Sequence, residues 1–206
     1  MTTPGQGSAA EAAERSHLVL RRAVMDVAVN LLHAGVLSHS GHADLSARAG
    51  PDVVLLTALS RRHDLGPDDL AVVRLDGTVV EGDLAELSEE MVAAHLAVYR
   101  ARPQVGTVIH THSPNLLAFA LEGRPLPVRY EPLRRLGQAQ EVPVVRGPAS
   151  VADTVVELTG TQAVLLAGHG VLAFGVDTEA AVTLLVTLEE AAQAELRAAT
   201  LGLSAG

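Results

Sequence analysis

The chain has 206 residues, 48% of them hydrophobic, and a formal net charge of −9. This length is enough for one domain with a sizeable core or for two small domains at most. The negative charge argues against non-specific binding to nucleic acid or to anionic lipid, and no apolar run reaches the roughly 18 residues that span a membrane. Because cysteine is absent, any metal site must be built from His, Asp or Glu.

The first residues differ in composition from the rest of the chain. Residues 1–13 are mainly Thr, Pro, Gly, Ser and Ala without an apolar block, which predicts a flexible N-terminal tail. A secretory signal would need a basic start followed by an apolar stretch. We therefore expect a cytoplasmic protein with a single folded domain over residues 14–200.

Apolar periodicity and turn residues predict alternating helices and strands along this domain. A polar loop within residues 38–48 runs into a first strand, and Asp76-Gly77 predicts a hairpin turn. The predicted helices are 14–34, 89–100, 114–121, 151–158 and 178–196. The other predicted strands are 53–57, 70–75, 78–80, 107–112, 142–145, 163–167 and 171–174. The expected result is one α/β domain in which helices cover a mostly antiparallel sheet.

Two histidines stand at the end of the predicted strand 107–112. Side chains of a strand alternate between its faces, so His110 and His112 project from one face, about 6.5 Å apart along the strand. Two imidazoles in this arrangement can bind one metal ion. The alternative is that each ring forms only local hydrogen bonds.

A third imidazole stands between two glycines where another predicted strand ends. The glycines beside His169 leave its side chain exposed, which is typical of a site residue. Three histidines from two strand ends, with one coordination position open, match a catalytic zinc site. Three unrelated surface histidines remain the alternative, and His39 and His42 in the polar loop are further candidate ligands.

Three segments of the chain form a recognisable set of motifs. The first is DLSAR at residues 44–48, and the second is Glu90 with the run HLAVYRARPQVGTVIHTH at residues 95–112. The third is VLLAGHGV at residues 164–171. Together they resemble the class II aldolase/adducin family, which includes fuculose- and rhamnulose-phosphate aldolases. The similarity extends from about Leu18 to Leu196 with the motifs in the order of the family.

The resemblance implies a fold, a cofactor and an assembly. The fold would be a three-layer α/β/α sandwich, and the assembly a homotetramer with active sites at the subunit interfaces. A divalent metal, Zn²⁺ first and Mn²⁺ or Co²⁺ as alternatives, would be held by His110, His112 and His169. A carboxylate at the start of the preceding helix would act as base, and Tyr130 from a neighbouring subunit would act as acid.

The implied function is that of a metal-dependent lyase. Such an enzyme catalyses aldol or retro-aldol cleavage of a small, sugar-like hydroxy-carbonyl substrate through a metal-stabilised enediolate. A metal-dependent decarboxylase of a β-keto or hydroxy acid would use the same site. A non-catalytic, adducin-like scaffold is the third possibility, and it is disfavoured because the scaffolds of this family lack the metal ligands that this chain retains.

The sequence departs from the family pattern at the base. The usual base position, four residues before His95, is Met91, which cannot accept a proton. The predicted base is therefore Glu90, with Glu89 as the second candidate. Capping of the helix N-terminus is the structural alternative for both carboxylates.

The sequence also departs from the pattern at the two positions that bind phosphate in sugar-phosphate aldolases. They are occupied here by Asp44 and Ser60, which we predict to contact the substrate. A carboxylate at the first position would repel a phosphate. We expect a substrate without phosphate, or one whose phosphate is bound by Arg48, Arg61 or Arg62.

Overall fold

A computed structural model describes residues 18–27, 30–31, 33–37, 42–59, 70–84, 87–138, 141–157 and 160–202. The predicted tail over residues 1–13 lies outside these ranges. Among the described helices, none combines the length and the apolar character needed to cross a lipid bilayer.

Ten strands are present in the described residues. They are β1 (Ala43–Arg48), β2 (Val53–Leu59), β3 (Ala71–Arg74), β4 (Val79–Glu81), β5 (Thr107–Thr111), β6 (Leu126–Pro127), β7 (Glu141–Val142), β8 (Val144–Val145), β9 (Ala163–Leu166) and β10 (Gly170–Gly175). Eight of them form the central sheet in the order β4-β3-β2-β1-β5-β10-β9-β8, and β6 pairs with β7 separately. Strands β1 and β5 therefore lie side by side in the middle of the sheet.

The pairing of the strands confirms a mostly antiparallel sheet. The pairs from β1 to β5 and from β5 through β10 to β9 are antiparallel, whereas β8 runs parallel to β9. The predicted hairpin joins β3 to β4, and Gly77 in its turn has a φ of +97°. A positive φ carries a steric cost for most residues but not for glycine, which is why the Asp-Gly pair predicted this turn correctly.

Helices cover both faces of the sheet. Residues 18–27, 30, 31 and 33 are helical and belong to helix α1. The others are α2 (Glu89–Ala101), α3 (Pro114–Leu121), α4 (Glu131–Arg135), α5 (Val151–Glu157) and α6 (Thr178–Thr200). One buried cluster joins α1, α3, α4 and α6 to one face, and a second joins α2 and α5 to the other. The predicted three-layer α/β/α sandwich is therefore confirmed.

One predicted strand is wrong. Residues 142–145 were expected to form a single strand, but the structure divides them at Pro143. Val142 pairs with Leu126, whereas Val144 pairs with Leu165 in the central sheet. Proline has no N–H to donate to a ladder, so the chain can leave one sheet and enter the other at this residue.

Candidate metal centre

The three predicted ligands come together at one end of the sheet. His110 is in β5, His112 follows it, and His169 lies in the turn between β9 and β10. Their ring centroids are 4.9 Å to 5.1 Å apart, and one ligand atom from each lies within 4.8 Å of the others. The spacing therefore fits one shared ion after small side-chain rotations.

Two glycines shape the turn that carries His169. Gly168 has a φ of +69° and Gly170 a φ of +155°. A Cβ on Gly170 would lie 2.5 Å from the carbonyl oxygen of Thr111 and 2.9 Å from Cδ2 of His112. A side chain at this position would push against the ligand and its strand, so glycine is required for this close approach.

Asp44 contacts the first ligand directly. It pairs with His110 across the β1–β5 ladder, and its Oδ2 lies 2.9 Å from Nδ1 of His110. Because an ionised carboxylate can only accept, Nδ1 of His110 is the donor in this contact, and Nε2 is the ring nitrogen left for another partner. Nε2 is buried without a hydrogen-bond partner among the described residues. A ring nitrogen orphaned in this way is what a metal ligand provides.

The electrostatics of the cluster favour the neutral forms of His112 and His169 and an ionised Asp44. Burial, followed by repulsion from His110, lowers the pKa of His112 to about 4, and the same two causes lower the pKa of His169. Burial alone would raise the pKa of Asp44, but the hydrogen bond and charge of His110 outweigh it and lower this pKa. His112 is therefore neutral near pH 7, as a ligand must be. Its Nε2 is likewise buried without a hydrogen-bond partner in the described structure.

A fourth imidazole lies beside the three. The ring centroid of His42 is 6.2 Å from that of His112, and its charge also acts to lower the pKa of His112. His42 is therefore next to the cluster, although it is not one of the three side chains close enough to share an ion. The other loop candidate, His39, lies outside the described residues.

The two candidate bases lie in the first turn of α2. Glu89 and Glu90 are both exposed, and the charge of Glu90 acts on the pKa of His169, against the effect of burial. Glu90 is thus within electrostatic range of the cluster. Met91, at the usual base position, is 3% exposed and packs in the core between α2 and the sheet. The helix is capped by Ser88, whose Oγ accepts from the Met91 N–H at 3.2 Å.

Sequence reasoning missed a buried polar chain behind the site. Nδ1 of His95 lies 2.7 Å from Oγ of Ser46, which lies 3.0 Å from the hydroxyl of Tyr99. Burial lowers the pKa of His95 to about 4, so this ring is neutral near pH 7. The signal for this chain was available in part, because Ser46 shares a strand face with Asp44 and because His95 and Tyr99 are one helical turn apart.

The other predicted site residues have different surroundings. Tyr130 packs against the core on the opposite face of the sheet, and its hydroxyl donates to Glu190 at 3.3 Å. The structure therefore does not bring it to the three histidines of its own chain.

Arg48 donates to the backbone carbonyls of Val105, Pro51 and Tyr99, so it supports the backbone and is not free to bind phosphate. Ser60, Arg61 and Arg62 lie outside the described residues.

Comparisons with known proteins agree with this geometry. The family model for the class II aldolase and adducin N-terminal domain matches residues 23–196. A 5-methylthioribulose-1-phosphate/5-deoxyribulose-1-phosphate aldolase of Rhodospirillum rubrum is 30% identical over 183 residues, which cover 86% of this chain and 80% of that protein.

Solved structures show the same fold. An L-fuculose 1-phosphate aldolase, 21% identical, superposes with a TM-score of 0.77 over 88% of this chain and 87% of that chain. The putative aldolase/epimerase/decarboxylase YgbL of Escherichia coli, 28% identical, has a TM-score of 0.74 over 88% of this chain and 90% of its own. The predicted family, fold and aldolase type of enzyme are confirmed by these matches.

Proposed function

Because the chain belongs to the class II aldolase and adducin family, we propose that it is a metal-dependent carbon–carbon lyase. It forms or cleaves aldol bonds in a small hydroxy-carbonyl compound. The observation that carries this proposal is the convergence of His110, His112 and His169, whose ligand atoms lie within 4.8 Å of one another. A non-catalytic scaffold would have no need to retain three such side chains.

The resident ion is proposed to be Zn²⁺, with Mn²⁺ and Co²⁺ as alternatives that accept the same donors. Unpartnered Nε2 atoms on His110 and His112 and the absence of thiolates support a borderline divalent ion. When bound, it would act as a Lewis acid that polarises the substrate carbonyl and stabilises the charge of an enediolate.

Glu90 is proposed as the general base. In the cleavage direction, its carboxylate takes the proton from the hydroxyl at the β-carbon while the carbon–carbon bond breaks. The bonding electrons pass to the carbonyl side, and the same proton can then return to carbon. The exposure of Glu90 at the start of α2 and its electrostatic influence on His169 support this role.

The substrate is proposed to carry no phosphate at the position of Asp44. This carboxylate is 17% exposed and ionised beside the cluster, so a phosphate group there would meet a like charge. The Rhodospirillum rubrum relative is named for sugar phosphates, so the substrate proposed here differs from the class in that relative's name. Ser60 is also proposed to contact the substrate.

The assembly is proposed to be a homotetramer in the cytoplasm, active in carbohydrate metabolism. Tyr130 would reach the site of a neighbouring subunit and donate a proton to the acceptor oxygen. Its position on the sheet face opposite to His110 supports a role at the site of another subunit over a role at the site of its own chain.

The test is an assay with matched substrates. Dihydroxyacetone and dihydroxyacetone phosphate should be compared as donors toward a small aldehyde, with and without added Zn²⁺. We expect metal-dependent condensation with a kcat/KM that favours the non-phosphorylated donor. A preference for the phosphate would refute the substrate proposal. Metal-dependent CO₂ release from a β-keto acid, without aldol activity, would favour the decarboxylase instead.

A further inference from the structure

We propose that Asp44 is a positioning residue for the metal: its carboxylate fixes the ring of His110 and supplies a negative charge behind this ligand. The inference rests on the proposed metal site and goes beyond it by assigning a role to a side chain that was expected only to contact substrate. It concerns how tightly the ion is held, not which reaction follows.

The central strands hold Asp44 and His110 in fixed positions. Asp44 and His110 are directly opposite each other on adjacent central strands, and β1 is also held by β2 on its other side. Hydrogen bonds between neighbouring strands therefore fix their Cα positions. The 2.9 Å contact between Oδ2 of Asp44 and Nδ1 of His110 does not depend on the conformation of a loop. A ligand held in this way keeps one tautomer and one ring orientation, which lowers the entropic cost of metal binding.

The negative charge of Asp44 also favours a cation at this site. The side chain of Asp44 is 17% exposed, and its ion pairing in the described structure is with His110, not with an arginine. A largely buried carboxylate without a permanent cation is costly. A divalent ion on the opposite nitrogen of the same imidazole would complete the charge balance.

The test measures zinc affinity by competition with a chelating dye at one fixed pH, using full-length protein without a His-tag. Asp44→Asn keeps the shape and one acceptor but loses the charge, and Asp44→Ala loses both. We expect Asp44→Asn to bind zinc about 10–100-fold more weakly than wild type, and Asp44→Ala more weakly still. Asp52→Asn is the matched control, because it removes an exposed carboxylate at the far end of β2.

A second readout separates positioning from a general structural effect. In metal-free protein with ¹⁵N-labelled histidine, the wild-type ring of His110 should be protonated on Nδ1. An Asn side chain can also donate, so Asp44→Asn should populate the other tautomer. A zinc affinity of Asp44→Asn within twofold of wild type, or an unchanged tautomer of His110, would overturn the inference. If wild type and the Asp52→Asn control both bound no zinc, the proposed metal site itself would be refuted, and not only the role of Asp44.

Discussion

His112 is a candidate ligand whose pKa is lowered by burial and by its neighbours. Its ring lies 5.1 Å from each of the other two ligand rings, and its pKa is lowered to about 4. Near pH 7 it is neutral and can donate a lone pair, whereas in acid the cluster would become protonated and lose its affinity for a cation.

Removal of this imidazole should abolish the metal centre without unfolding the protein. For His112→Ala we expect loss of bound metal and a fall in activity of about 10³-fold or more, because several kcal/mol of charge stabilisation are lost. Metal content, turnover and circular dichroism should be measured on the same preparation. Normal turnover by this variant would show that the site is wrongly placed.

Glu90 can be tested against its neighbour in the same helical turn. For Glu90→Gln we expect kcat to fall by about 10²–10⁴-fold with zinc still bound, because the amide cannot accept the proton. Glu89→Gln is the matched control, since both carboxylates are exposed at the N-terminus of α2. Near wild-type activity of Glu90→Gln, with loss of activity in Glu89→Gln, would transfer the role to Glu89.

The sequence predicted the candidate ligands but not the side chains that support them. His110, His112 and His169 could be identified because each stands at a strand end with a motif around it. Asp44 could not be assigned to His110, since 66 residues separate them and their contact requires β1 and β5 to be neighbours in the sheet. The contact between His95 and Ser46 could not be predicted for the same reason, since 49 positions separate these two residues.

The N-terminus of α3 depends on a side chain from another helix. Ser113, at the N-cap position of this helix, donates its hydroxyl to the carbonyl of Val36 at 2.6 Å and forms no side-chain cap. Glu189 of α6 instead accepts from the backbone N–H groups of Asn115 and Leu116 at 2.8 Å and 3.0 Å. A buried carboxylate thus satisfies the free donors of a helix that directly follows His112.

Replacement of Glu189 should destabilise the fold. For Glu189→Ala we expect the free energy of unfolding to fall by about 2–3 kcal/mol, because buried N–H groups lose a charged acceptor. Urea denaturation of metal-free protein measures this loss. Glu190→Ala, at an exposed position on the same helix, should change stability by no more than about 0.5 kcal/mol. Equal losses in the two variants would contradict the capping role.

The ends of helices and strands could be predicted where a local signal, such as a capping residue, determines them. They could not be predicted where tertiary contacts determine them. Ser88 and Asp177 cap α2 and α6 as their positions suggest. The division at Pro143 depends on which sheet edge is available on each side, and the sequence does not contain that information. The cap of α3 from Glu189 likewise became visible only when α3 was packed against α6.

The stability of the whole molecule should depend on pH through its buried imidazoles. The folded-state pKa of His95 is about 4, below the unfolded value of about 6.5. Between these values the unfolded chain binds a proton that the folded chain does not. Stability is therefore expected to fall as pH drops from 6.5 to 4, by an amount on the order of 3 kcal/mol for this residue.

This dependence can be measured by urea denaturation of metal-free protein at several pH values. His112 contributes in the same direction, because its pKa is also lowered to about 4. His95→Gln cannot titrate in this window, so its stability should depend less steeply on pH than that of wild type. Equal slopes for the two proteins would contradict the assignment of a neutral, buried His95.

The metal content of protein purified without a His-tag shows whether the molecule is a metalloprotein. Elemental analysis should find close to one equivalent of a divalent transition metal per chain, with Zn²⁺ expected first. The ion should disappear in His112→Ala. Less than about a tenth of an equivalent in wild type, unchanged after incubation with zinc and removal of the excess, would contradict the account.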